Sequence, residues 1–283
     1  MARRQWDNAL MRIALCQIPV SPDPAVNLSR VKDALGQAAA GGADLAVFPE
    51  ATMTRFGSDL AGAAEELDGP FCTEVGLACA ASAVAAVVGV FEPAPGGRVY
   101  NTAAAFSAEG DLVASYRKIH LFDALGYEES ETVASGSGIV VTTLAGAPVG
   151  LQICYDIRFP ELTRALAVAG ARLVTVSAAW AAGTFKEEHW VTLLRARAIE
   201  NTVWIAATDQ VPDLEAKPTR AATGVGRSLL IDPMGVVRAD LGPAAGITVV
   251  EADLSAVDCV RGTLPSLRHR REDVFGPIRA AGG

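Results

Sequence analysis

Between positions 13 and 253 the chain alternates short apolar runs with stretches whose apolar residues recur every three or four positions. The short runs, rich in Val, Ile and Leu, predict strands; the longer period predicts amphipathic helices packed on them. Strands fall at 13–17, 44–48, 85–91, 99–107, 112–117, 139–143, 148–153, 173–177, 203–208, 227–231 and 247–252, and helices over 27–40, 73–83, 160–170 and 186–201. In the first helix Val31, Leu35 and Ala38 share a face, and Gly41-Gly42 ends it. Pro160 suits the first position of the third, with Glu161 in its first turn. This alternation predicts an α/β layered fold in one continuous domain without internal repeats. Residues 1–10 read as an N-terminal extension and 11–283 as the domain. A tail from about position 254 carries Arg268, His269, Arg270 and Arg271, suited to docking on a partner subunit or to solvent. The stretch 119–137, rich in Glu, Ser and Gly, keeps no period and predicts a long loop of the kind that serves binding or catalysis.

Three predicted strands end in reactive side chains: LAVFPE in Glu50, LVASYRK in Lys118 and VGLQIC in Cys154. In open α/β sheets ligands bind beyond the carboxyl ends of the strands, so residues far apart in sequence can converge there. Each has an ordinary reading by itself. A cysteine ending an apolar strand is usually inert core, Glu50 after Phe48-Pro49 suits a capping contact, and Lys118 beside Arg117 suits a solvated charge. Together they suit acyl transfer from an amide. The carboxylate can take the thiol proton and hand it to departing ammonia, the ammonium can stabilise an oxyanion, and the sulfur gives a thioester that water cleaves. A helix start just beyond Cys154 places a positive helix end near the sulfur, which favours a thiolate. His120 and His189 keep a rival Cys-His mechanism open, although histidines at such positions are mostly structural. Trp180, Phe185 and Trp190 flank a loop and a helix start, where they either line a pocket or, above all for Trp190, pack in the core. Gly224-x-Gly226 and Ser135-Gly136-Ser137-Gly138 lack the lysine or third glycine of a phosphate loop.

Composition narrows the partner. The 283 residues hold 24 Lys+Arg against 32 Asp+Glu, a formal net charge of −8, with no basic run to attract nucleic acid or an anionic membrane surface. A hydrophobic content of 51% supports a large core and excludes disorder as the main state. The five cysteines are odd in number, scattered and free of C-x-x-C spacing, which argues against a disulfide framework and a zinc site. The apolar stretch 13–20 is interrupted by Gln17 and Pro19, too short for a signal core or a membrane span. The expectation is a cytoplasmic protein acting on a small molecule.

The segments DLAVFPE, YRKIHLFD and GLQICYDIRFPEL, with HWVTLLRARAIEN and RSLLIDPMG, resemble the nitrilase superfamily of carbon-nitrogen hydrolases in its Nit amidase branch. The resemblance runs from Arg12 to Asp253, with the motifs in the right order. It implies a four-layer α-β-β-α sandwich, a homodimer or larger assembly paired through the helices after the nucleophile, and no metal or organic cofactor. Carried onto this chain, it makes Glu50 the general base and then acid. Cys154 becomes the nucleophile, and Lys118 the oxyanion donor alongside the backbone N–H of Tyr155. It also implies a second glutamate, assigned to Glu129 in its Glu-Ser context, with Glu128 and Glu131 as neighbours that a slip would substitute.

The resemblance bears on the substrate as well. Nitrile-cleaving relatives carry Trp-Glu after the nucleophile, whereas Tyr155-Asp156 stands here, which points to amides. Arg158 matches an arginine that related omega-amidases use to hold a substrate carboxylate; an ion pair with Glu161 or Asp156 is the equal alternative. The expected substrate is a small linear amide bearing a carboxylate, an ω-amide such as deaminated glutathione or 2-oxoglutaramate. An N-carbamoyl amine hydrolase, or a non-catalytic binding module on the same fold, are the alternatives.

Overall fold

The computed structural model describes residues 10–212 and 223–277. Its strands are β1 (Leu10–Gln17), β2 (Leu45–Val47), β3 (Ala85–Pro93), β4 (Val99–Phe106), β5 (Leu112–Arg117), β6 (Asp123–Ala124), β7 (Tyr127–Glu128) and β8 (Val133–Ala134), followed by β9 (Val141–Leu144), β10 (Ala147–Ile153), β11 (Leu173–Ala178), β12 (Trp204–Asp209), β13 (Leu229–Ile231), β14 (Val237–Asp240) and β15 (Gly246–Asp253). The helices are α1 (Pro24–Ala40), α2 (Leu60–Ala63), α3 (Pro70–Ser82), α4 (Pro160–Val168), α5 (Lys186–Asn201), α6 (Ala256–Thr263) and α7 (Glu272–Phe275).

Two mixed sheets form. The first runs β15-β1-β2-β3-β4-β5, parallel through β1, β2 and β3 and antiparallel elsewhere along that path, with β8 alongside β4. The second runs β14-β13-β12-β11-β10-β9, parallel only through β10, β11 and β12. Strand periodicity splits the apolar residues between two cores. Ile13, Leu15, Val47 and Val87 pack with Val149, Leu151 and Ile153 of the other sheet, each buried side chain contributing about 1.5–3 kcal/mol. Their neighbours Ala14, Cys16, Ala46 and Val88 face the other way, onto Val31 and Leu35 of α1 and Phe71 and Val75 of α3. Leu162 and Leu166 of α4 and Leu194 of α5 cover the far side of the second sheet. The result is the four-layer α-β-β-α sandwich.

Departures from the predicted elements have local causes. The first helix starts at Pro24 and not at 27, because the Asp23 carboxylate accepts the Ala25 N–H and Pro24 needs no donor partner at the first position. Likewise α3 starts at Pro70, ahead of the predicted 73. The loop 119–137 folds into the β6-β7 hairpin, a 3₁₀ turn at Glu129–Glu131 and β8. Beyond Asp253 the chain enters α6, with Leu254 and Val257 buried in the core and the Arg172 guanidinium holding both the Leu254 carbonyl and Asp258. No helix among the described residues is long and apolar enough to cross a membrane.

Candidate active site

Glu50 and Lys118 follow the ends of β2 and β5 in the first sheet, and Cys154 follows the end of β10 in the second. The three therefore meet between the sheets, not along the crevice of one open sheet. Both turns that present the acid and the sulfur are strained. Cys154 itself has φ +46°, and Ala51, next to Glu50, has φ +55°. The Glu50 turn also presses on β3 at Gly89, where a Cβ would lie 2.6 Å from both the Pro49 carbonyl oxygen and the Ala51 nitrogen.

Lys118 Nζ donates to Glu50 Oε1 at 2.8 Å and to both oxygens of Glu129, at 3.1 and 2.8 Å. Glu129 is buried, and its Oε2 also accepts the Phe122 N–H at 2.7 Å, whereas Glu128 and Glu131 are exposed. Asn101 Nδ2 donates to Glu50 Oε1 at 2.8 Å and to Glu129 Oε1 at 3.1 Å. The remaining Glu50 oxygen, Oε2, accepts the Ala179 N–H at 2.9 Å. Burial by itself lowers the Lys118 pKa, but the carboxylates of Glu129 and Glu50 outweigh it and hold the ammonium well above the ordinary lysine pKa.

Cys154 behaves in the opposite sense from the sequence expectation. Burial, reinforced by the Glu50 charge, pushes its thiol pKa well above the usual value despite Lys118 and the Ala179 N–H. The helical turn that follows, Cys154–Arg158, is a single short 3₁₀ segment, too brief to offset desolvation. The resting sulfur is thus a thiol in need of a base.

Asp156 fixes this corner. Its Oδ2 accepts the Tyr116 hydroxyl at 2.7 Å and the Ile153 N–H at 2.9 Å; its Oδ1 accepts the His120 N–H at 3.3 Å and lies 2.8 Å from His120 Nδ1. His120 also stacks on Phe159, with ring centres 3.8 Å apart. It is tied into the scaffold by its backbone and by its ring.

A cavity of about 210 Å³ opens on Glu50, Lys118, Glu129 and Cys154, with Phe122, Tyr127, Tyr155, Trp180 and Lys186 among its walls. Tyr155 stands edge-on to Phe122 and Phe159. Trp180 lines the cavity, Phe185 is exposed, and Trp190 is core, its indole N–H donating to the Arg227 carbonyl. Asp209, buried behind Trp180, accepts the N–H groups of Trp180, Gln210 and Val225, and burial raises its pKa well above the usual carboxylate range. Arg158 stands outside the lining, its guanidinium 4.8 Å from the Trp180 ring centre and 3.4 Å from His189 Nδ1; among the described residues it has no ion pair with Glu161 or Asp156. Asn101, Asp209 and Lys186 escaped the sequence reading, and Asp156 stands there as part of the motif after the nucleophile and not as the anchor of Tyr116 and His120. A polar residue inside an apolar strand was the one available signal, for Asn101.

Residues 12–261 match the carbon-nitrogen hydrolase family. A protein of Mycobacterium tuberculosis named a hydrolase is 42% identical over 93% of this chain and 97% of its own. The deaminated glutathione amidase of Escherichia coli O157:H7 is 33% identical over 92% of this chain and 97% of its own. Among solved structures, a variant of the Nesterenkonia sp. AN1 amidase carries the acetamide moiety of fluoroacetamide on its active-site cysteine; it superposes with a TM-score of 0.79 at 28% identity, over 94% of this chain and 95% of that one. With the sandwich and these matches in hand, the chain belongs to the carbon-nitrogen hydrolase family of the nitrilase superfamily and is a hydrolase of amide carbon-nitrogen bonds.

Proposed function

We propose that the protein is a thiol amidase that converts a small linear amide bearing a carboxylate to its acid and ammonia through a thioester on Cys154. The observation that carries this reading is one cavity lined by Cys154, Glu50 and Lys118, with the Lys118 ammonium 2.8 Å from the Glu50 carboxylate. Glu50 takes the Cys154 proton as the sulfur attacks the amide carbon. The oxygen, now negative, is met by Lys118 and the backbone N–H of Tyr155. Glu50 returns the proton to the nitrogen, ammonia leaves, and the thioester remains. Water, deprotonated by Glu50, then attacks the thioester; the acid departs and the thiol regains its proton. Glu129 and Asn101 hold Lys118 and Glu50 in register throughout.

Named substrates within this class are ω-amides such as deaminated glutathione or 2-oxoglutaramate; the E. coli relative bears the former in its name. A homodimer or larger assembly pairs through α4 and α5, whose Val168 and Ile199 stay exposed in a single chain; sedimentation of the purified protein reads this.

A panel of ω-amides assayed for ammonia, with mass spectrometry of Cys154, tests the chemistry. The expected result is ammonia release and an acyl adduct on Cys154, both lost in Cys154→Ala with the fold intact. Carbon dioxide released with the ammonia would redirect the reading to a ureido substrate, and no ammonia from any amide would defeat it.

A further inference from the structure

Lys186 breaks three rules at once. It is the first residue of α5, where the helix end is positive and a cation is unfavourable. It is only 6% exposed, and among the described residues its ammonium has no hydrogen-bond or ion-pair partner. A second cation, Arg158, is near enough to disfavour its charge further, and burial lowers its pKa with that neighbour's help, against the opposing pull of Cys154 and Asp209, neither of which pairs with it. What does hold the ammonium is aromatic: Nζ lies 4.2 Å from the Trp180 ring centre and 5.1 Å from that of Phe122. The Trp180 indole N–H donates to the Lys186 carbonyl at 2.7 Å, so ring and lysine are fixed to each other.

Lys186 lines the same cavity as Cys154. At the catalytic end the one ammonium, Lys118, is already occupied by two carboxylates. An anion in the cavity therefore has Lys186 as its unmatched counter-charge, in a low-dielectric setting where such a pair is strong. We infer that Lys186 grips the carboxylate at the far end of the substrate and so selects monoamides of short dicarboxylic acids. Arg158, outside the lining, adds positive field without touching the substrate. This inference rests on the amidase reading for the position of the amide, but not for the binding of the anion.

Two probes of equal length separate charge from shape: glutaramate and its neutral counterpart pentanamide. Calorimetric titration of Cys154→Ala protein reads binding without turnover. That protein is expected to bind glutaramate at least about tenfold more tightly than pentanamide, a difference of about 1.4 kcal/mol. Adding Lys186→Met should erase the preference, Lys186→Arg should keep most of it, and Arg158→Met should weaken it less than Lys186→Met. In the protein with Cys154 intact, Lys186→Met should reduce the ratio of kcat/KM for glutaramate over pentanamide by a similar factor, chiefly through KM. A preference that survives Lys186→Met, no preference to begin with, or a larger loss from Arg158→Met overturns the assignment. Ammonia release by the unaltered protein is scored separately: turnover without charge preference removes Lys186 alone, whereas no turnover of any amide removes the hydrolase reading and leaves the titrations to decide Lys186.

Discussion

Lys118 Nζ sits 2.8 Å from Glu50 Oε1 inside the protein, and the same ammonium neutralises Glu129. Two buried carboxylates thus depend on one cation. Lys118→Met is expected to cost activity about 10²-fold or more through the lost oxyanion donor. It should also destabilise the fold by about 3 kcal/mol or more, because both acids are left buried without a counter-charge. Ammonia release and denaturant unfolding measure the two losses; a variant with unchanged rates would remove Lys118 from the chemistry.

His120 spends its ring on Asp156 and Phe159. His120→Gln should therefore keep turnover within about tenfold while losing about 1 kcal/mol of stability. A collapse of activity as deep as that of Cys154→Ala would revive a Cys-His mechanism.

Gly89 has no room for a methyl group, since the turn carrying Glu50 presses on it. Gly89→Ala should push that turn aside, reducing kcat at least about tenfold and costing about 1–3 kcal/mol. Kinetics beside thermal unfolding tests this; normal kcat in the folded variant would show that the turn yields without moving Glu50.

Alkali should weaken the fold before it touches Lys118. Burial pushes Cys72 and Cys79 up to about 12 from the ordinary 9.0, and moves Cys16 in the same direction. The folded thiols keep protons that the unfolded chain gives up, so their stabilisation is complete below pH 9.0 and declines from there to about pH 12. Each thiol adds a slope approaching about 1.4 kcal/mol per pH unit. Lys118, raised above 10.5, holds its contribution until the pH passes that value, so it does not shape the first part of the fall. Urea unfolding at pH 8, 9 and 10 should show the decline, and Cys72→Ala with Cys79→Ala should make it shallower, leaving the share of Cys16 and Cys154. A slope unaltered in the double variant would contradict the assignment.

Much of this was readable from residues alone. Glu50, Lys118 and Cys154 stood out because each closes an apolar strand with a reactive side chain, and α5 was predicted at its observed bounds because its period was sustained. The 3.6-residue period could not locate the start of α1, which a side-chain cap and a proline decide. Strand β14 went unseen because its alternating residues are only half-buried, and α6 because its eight residues are too few to sustain a period. The thiolate expectation failed because helix polarity was legible in the sequence while depth of burial was not. Lys186 looked like an ordinary charged residue opening a helix, and its isolation appears only when Trp180 and Phe122 close over it.

The proposed proton acceptor and the sulfur it serves are mounted on opposite slabs of the sandwich, bridged by contacts such as Ala179 N–H to Glu50. Their spacing is a gauge of how the slabs sit on one another. A slight shear between them would part the two groups without unfolding either sheet, so on heating, ammonia release should be lost at a lower temperature than the unfolding transition; coincident transitions would contradict this.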